Sequence, residues 1–291
     1  MFSFASRGQR PFALALLILL SSSVAVLGDN GSPVADAGLW GTGKIPEFIA
    51  VLLLSLVMVI GVIHVRRRGR PQLRPLPPIA AVDDAIGRAT EQGTAVIYTT
   101  GWGGDMSRPT IMASMEILGS VASRAARNGC RLLVPSHDPV IVGVAQDTIS
   151  QSATVAGRPD WFASSDVTFV TQSQFGYASA FAGLVARHHP GSVFLIGTFE
   201  GEALILAEAA HDAGAVTIAG TDSTIQLSFF LVACDYTLIG EELFAAAAMV
   251  SGDEHAAAAV LAQDMIKYLI LLLLLIGGIL VGFGFNLNDH L

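Results

Sequence analysis

The chain has 291 residues, 52% of them hydrophobic and only 14% charged, with a net charge of −8. A composition so apolar and so poor in charge excludes a disordered chain. Between Pro71 and Ile266 twenty Asp and Glu face eight Arg and no Lys, a balance of 8 − 20 = −12, which repels phosphate backbones and excludes nucleic acid as a partner.

Arg7 and Arg10 precede a Leu-rich run that ends in Val26-Leu27-Gly28, so residues 1–28 fit a cleaved signal peptide and an uncleaved signal anchor equally. Residues 29–44, rich in Gly, Ser, Pro and Asp, form an external loop. From Ile45 to Val65 only Glu47 and His64 are strongly polar. A run of that length at ~1.5 Å per residue crosses the ~30 Å hydrocarbon core. Arg66, Arg67, Arg68 and Arg70 follow at once, and such residues are retained on the cytoplasmic side.

The basic linker of residues 66–80 carries Pro71, Pro75, Pro77 and Pro78, which predicts an extended spacer below the membrane. Residues 81–266 then form a cytoplasmic domain. A second span covers 267–286, uncharged from Tyr268 to Phe285, and 287–291 is an external tail. The expected location is the cell (inner) membrane, multi-pass, with the lipid bilayer as first partner.

Within the domain two periodicities alternate. A helix is predicted over Ala81–Gln92, with Asp83 and Asp84 in its first turn and Gly93 after it. Short β-branched runs follow at Ala95–Thr99, Arg131–Val134, Val167–Thr171, Val193–Ile196 and Ala215–Ala219. Between them lie helical stretches at Thr110–Asn128, Val140–Ala156, Phe175–His188 and Gly201–Ala213. This succession predicts an α/β fold: a Rossmann-like parallel sheet with helices on both faces, flanked by transmembrane helices. The order from Ala95 to Ala156 recurs from Val167 to Ala213, a hint of duplication that any βα domain gives.

Open α/β sheets bind ligands beyond the carboxyl ends of their strands. The predicted ends carry Thr100 before Gly101-Trp102-Gly103-Gly104, then Ser136, His137 and Asp138, then Gln172, then Thr198 and Glu200, then Thr221 and Asp222. These are the candidate ligand-binding residues. No Gly-x-Gly-x-x-Gly and no Walker Lys accompany them, so no nucleotide or other cofactor is expected. His137-Asp138 could form an acid/base pair, but Asp138 before Pro139 also fits the cap of the next helix. Glu200 and Glu202 could be paired carboxylates, yet both suit a helix's first turn. His188 and His189 suit a helix end. No Gly-x-Ser-x-Gly and no metal-ligand spacing occurs; Cys130 and Cys234, about 100 residues apart, suit reduced, buried positions.

Leu227–Ala233 and Ala245–Val250 are apolar stretches near the second span, and Cys234-Asp235-Tyr236 interrupts them. They suit a core element or a face that docks another subunit.

Three motifs are long enough to be specific: Ala85-Ile86-Gly87-Arg88-Ala89-Thr90-Glu91, Ala156-Gly157-Arg158-Pro159-Asp160, and Ala233-Cys234-Asp235-Tyr236-Thr237-Leu238-Ile239-Gly240-Glu241-Glu242-Leu243, with Gln263-Asp264 later. With them the chain resembles, from about Pro71 to the last span, a family of uncharacterised bacterial membrane proteins built on a domain of unknown function. That resemblance implies a topology and carries over no activity, cofactor or catalytic residue.

Two functions follow. The first is a non-catalytic assembly or scaffold module on the membrane that associates with its own copies and with other membrane proteins. The second is a small-molecule sensor or enzyme working at the strand ends.

Overall fold

A computed structural model describes residues 75–252 and 254–282, and ahead of them residues 51, 52, 55–57, 59–61 and 63, all helical. The expected signal segment, the external loop, most of the first span, the arginines of the linker and the external tail lie outside the described residues. Residues 1–52 and 53–291 form separate units. Of the first, only Val51 and Leu52 are described, both exposed.

The described α/β body begins four residues earlier than the sequence pattern suggests. Helix α1 is Pro77–Glu91, with prolines in its first two positions and Leu76 extended ahead of it. Proline lacks only a donor that the first turn leaves unused, and its fixed φ already suits a helix. Pro77 and Pro78, read as part of a spacer, therefore start the domain.

Strand β1 (Val96–Thr99) is followed by α2 (Pro109–Asn128), β2 (Leu132–Ser136), α3 (Pro139–Val155) and β3 (Val167–Phe169). Then come α4 (Gln174–His188), β4 (Ser192–Ile196), α5 (Ala203–Asp212), β5 (Val216–Thr221), α6 (Thr224–Ala233), β6 (Tyr236–Ile239), α7 (Glu242–Ser251) and α8 (Glu254–Gly282). The sheet order is β3-β2-β1-β4-β5-β6 with every pair parallel. This is the doubly wound Rossmann order, with its switch point between β1 and β4. The halves of the sheet are thus β1–β3 and β4–β6, and the apparent duplication that paired β1-α2-β2 with β3-α4-β4 does not coincide with them.

The central strands β1, β2 and β4 are buried at every position. Burial on both faces is why their sequences are continuous apolar runs rather than alternating ones. Val96, Tyr98, Phe194, Ile196 and Ile218 face a layer of α1, α2, α3 and α7. Ile97, Val193, Leu195 and Ala219 face α4, α5 and α6.

Strand β6 was not foreseen. It sits at the edge, and Asp235 ties its entry to β5 by accepting bonds from the Thr217 N–H (2.8 Å) and hydroxyl (2.9 Å). On its outer side the Ile239 N–H donates to the Glu242 carboxylate, 3.0 Å away.

Helix α7 lies on α2 and buries Ala246, Ala247 and Ala248, so the apolar Ala245–Val250 stretch is absorbed by the domain. Helix α8 returns along α7 and buries Ala257, Ala258 and Ala262. A Cβ on Gly61 would lie 3.1 Å from the Ala262 Cβ, so Gly61 packs on α8 at a point of small side chains. Lys267 pairs with Glu241 and with Asp264. Beyond it Tyr268, Ile270, Leu271, Leu272, Leu274 and Leu275 are exposed. Among the described residues no helix is long and apolar enough to cross a membrane; the side chains of 276–282 and all of 283–286 lie outside them.

Candidate functional site

All nine candidate residues lie at the carboxyl edge of the sheet, but they divide into local turn-makers and partners in one network. Ser136 and Asp138 serve the start of α3. The Asp138 carboxylate accepts the Val140 N–H at 2.7 Å and the Ser136 hydroxyl oxygen accepts the Asp138 N–H at 3.3 Å. Asp138 is therefore the cap, with Pro139 in the first helical position, and it is not the partner of His137. Thr221 is likewise a turn residue, its hydroxyl oxygen accepting the Ser223 N–H at 3.3 Å.

The network occupies the switch point. The chain leaving β1 turns at Gly101 (φ 79°) and folds onto the chain leaving β4. The Thr198 N–H donates to the Thr100 carbonyl at 3.0 Å, and the Gly103 N–H donates to the Thr198 carbonyl at 2.9 Å. A Cβ on Gly101 would stand 2.3 Å from the Thr198 carbonyl oxygen, and one on Gly197 would stand 2.2 Å from that of Thr100. Only glycine allows so close an approach of two backbones.

Glu202 holds this fold-over in place. Its side chain has no exposure. Its carboxylate accepts the Trp102 N–H (3.0 Å), the Glu200 N–H (3.2 Å) and the Gln174 side-chain amide (2.9 Å). A buried carboxylate without a cation persists when several N–H donors surround it. Glu200, by contrast, is exposed, so the two glutamates are not paired.

The ring of Trp102 donates its N–H to the Gln172 carbonyl at 2.9 Å and lies 6.0 Å from the ring of His137. The His137 Nδ1–H donates to the Gly101 carbonyl at 3.0 Å, which fixes that tautomer. Burial pushes the His137 pKa below its ordinary value, so the ring is neutral at physiological pH. Beneath it Tyr177 donates to the Pro135 carbonyl at 3.1 Å and also bonds Thr99, whose oxygen accepts the Gly101 N–H at 3.1 Å.

Three further observations bear on chemistry. Asp222 accepts the Thr110 hydroxyl at 2.6 Å, so a carboxylate already sits at the first turn of α2, where a phosphate would otherwise be welcome. The hydroxyls of Thr100 and Thr198 are buried, 2% and 4% exposed, without a hydrogen-bond partner. Among the described residues no group of three or more His, Cys, Asp or Glu is placed to hold a metal ion. A groove of about 530 Å³ lies elsewhere, between α2, α3 and the end of α7.

Sequence reasoning placed the rim correctly and missed its centre. Trp102, Gln174, Tyr177 and Glu202 join strands far apart in the chain, and Glu202 was read as a partner of Glu200 or as a first-turn residue of a helix. The available signal was one Glu directly ahead of the apolar Ala203–Ala207 run, in a position that buries it.

The family described as a domain of unknown function (DUF6754) matches residues 35–291. The match is longer than the Pro71-to-span stretch that the motifs suggest. No curated protein and no solved structure matches. The chain belongs to this family of unknown function.

Proposed function

We propose that this member of the family is a membrane-anchored, non-catalytic assembly module whose α/β domain lies in the cytoplasm and associates with its own copies. The observation that carries the reading is the closed switch point. Where a Rossmann-like fold usually leaves a crevice, this chain lays its own Gly101–Gly104 turn, and Glu202 is spent on holding that turn down. A carboxylate engaged by three donor groups is poorly suited to proton transfer.

Anchoring is supported by α8. Tyr268, Ile270, Leu271, Leu272, Leu274 and Leu275 are all exposed on it, and so large an apolar surface needs an apolar medium. Cytoplasmic placement rests on the four arginines after Val65. Association is supported by the exposed apolar flank of α6 and by the local concentration that a membrane confers on its residents.

The test uses the full chain. Reporter fusions at residue 150 should give a cytoplasmic signal and fusions after Leu291 an external one. The protein in mild detergent and in nanodiscs should have the mass of an oligomer. A periplasmic signal at residue 150 or a monomeric mass at micromolar concentration would overturn the reading.

A second reading, a small-molecule site at the rim, is favoured by the partnerless Thr100 and Thr198 hydroxyls alone. A ligand that binds there should raise the melting temperature, since it binds only the folded state.

A further inference from the structure

Helix α6 packs along α5 and on β5 and β6 but sinks little of itself into the core. Of its ten residues only Phe230 is buried, edge-on to Phe199 with ring centres 5.0 Å apart. Ile225 (70% exposed), Phe229, Leu231 and Val232 (89% exposed) face outward. Ile225, Ser228, Phe229 and Val232 recur at helical spacing and form one stripe, with a small serine near its middle.

Charge singles this surface out. Among the helices α1 to α8, every other one carries at least one Asp, Glu or Arg, whereas Ser223–Cys234 contains none. In a domain with a balance of −12, two copies approaching through other faces bring carboxylates together. The α6 stripe is where like charges do not oppose contact and where apolar area is available to bury.

Two other routes are less open. Strand addition along β6 is obstructed, because Glu242 already takes the outward Ile239 N–H. Cover by the bilayer is disfavoured by position, since α6 belongs to the layer of α4 and α5, while α7 and α8 pack on the opposite face of the sheet.

We infer that the α6 stripe is the surface through which two copies of this chain meet. The contact is isologous, each α6 lying against its partner's, so that residues near the two-fold axis face their own counterparts. The inference rests on the self-association reading above and names its surface.

Single cysteines at Ile225, Ser228 and Val232, introduced in the full chain in nanodiscs, test it under mild oxidation. The native thiols give a quiet background. Cys130 is buried, and burial pushes the Cys234 thiol up to about 12. Ser228→Cys or Val232→Cys should cross-link into dimers, while Gln151→Cys on α3 should not. Val232→Asp should weaken dimerisation at least about tenfold in Kd, an effect within reach of one buried like-charge pair, with an unchanged melting curve at dilutions where both proteins are monomeric, because the side chain lies in solvent in the single chain.

A dimer that survives Val232→Asp and gives no α6 cross-link overturns the inference and leaves the assembly reading standing. A chain that is monomeric throughout overturns both. Quenching of a fluorophore at Val232→Cys by a lipid-borne quencher, without cross-linking, overturns the inference in favour of the bilayer.

Discussion

The switch point between β1 and β4 and the flank of α6 divide the work of this domain in opposite ways. At the switch point a polar set is wholly or partly buried and almost wholly satisfied from within, with Glu202, His137, Tyr177 and Trp102 bound to backbone groups of their own chain. On α6 an apolar set is left outside, exposed among the described residues. The difference teaches where to look for an outside partner. A polar group without a partner and an apolar face without cover are both incomplete; here the apolar face is much the larger deficit.

The sharpest way to break the comparison is at Phe230, which shares a helix with the exposed stripe but belongs to the core. Phe230→Ala should cost roughly 3–5 kcal/mol of folding stability, as large-to-small changes in cores do, measured by denaturant titration. An effect below about 1 kcal/mol would place Phe230 with its exposed neighbours. Next in size is Glu202→Leu, which strands the Trp102 and Glu200 N–H groups; at 1–3 kcal/mol for a buried group left unpaired, the expected loss is about 2–4 kcal/mol. Glu202→Gln should recover part of it. If both variants melt like the native chain, the carboxylate is not what closes the crevice.

A smaller effect should come from pH. His137 has a folded pKa below its ordinary value, so the folded state binds its proton less readily than the unfolded one. Its contribution is complete above the ordinary histidine value and is lost as pH falls from there toward the depressed value. His137→Gln should flatten that part of the stability–pH curve. Smallest of all, Val232→Ser should change the melting temperature of dilute detergent-solubilised protein hardly at all, within about 0.5 kcal/mol.

Most of the sheet was legible because central parallel strands are short apolar runs between Ala-rich helices, a pattern that Val96–Thr99 and Ser192–Ile196 follow plainly. Strand β6 escaped because Tyr236–Ile239 follows α6 after only Cys234 and Asp235, so an apolar helix and an apolar strand read as one interrupted run. For the same reason Leu227–Ala233 suited a core element and a docking face alike: in an uncharged helix, sequence does not say which side the single core residue takes. The rim was legible from the fold's own rule about strand ends. The grip of Glu202 on Trp102 was not, since it joins residues 100 positions apart through a backbone N–H that every residue possesses.

Glu242 accepts the outward N–H of Ile239, and this places a limit on growth. An exposed edge strand is a template to which further strands can add without end, and chains confined to a surface meet one another often. With its outer donor taken by a carboxylate of the next helix, β6 offers an incomplete ladder and a negative charge to any strand that approaches. Growth into open-ended ribbons along this edge is thereby disfavoured, whatever other surface a second chain would use.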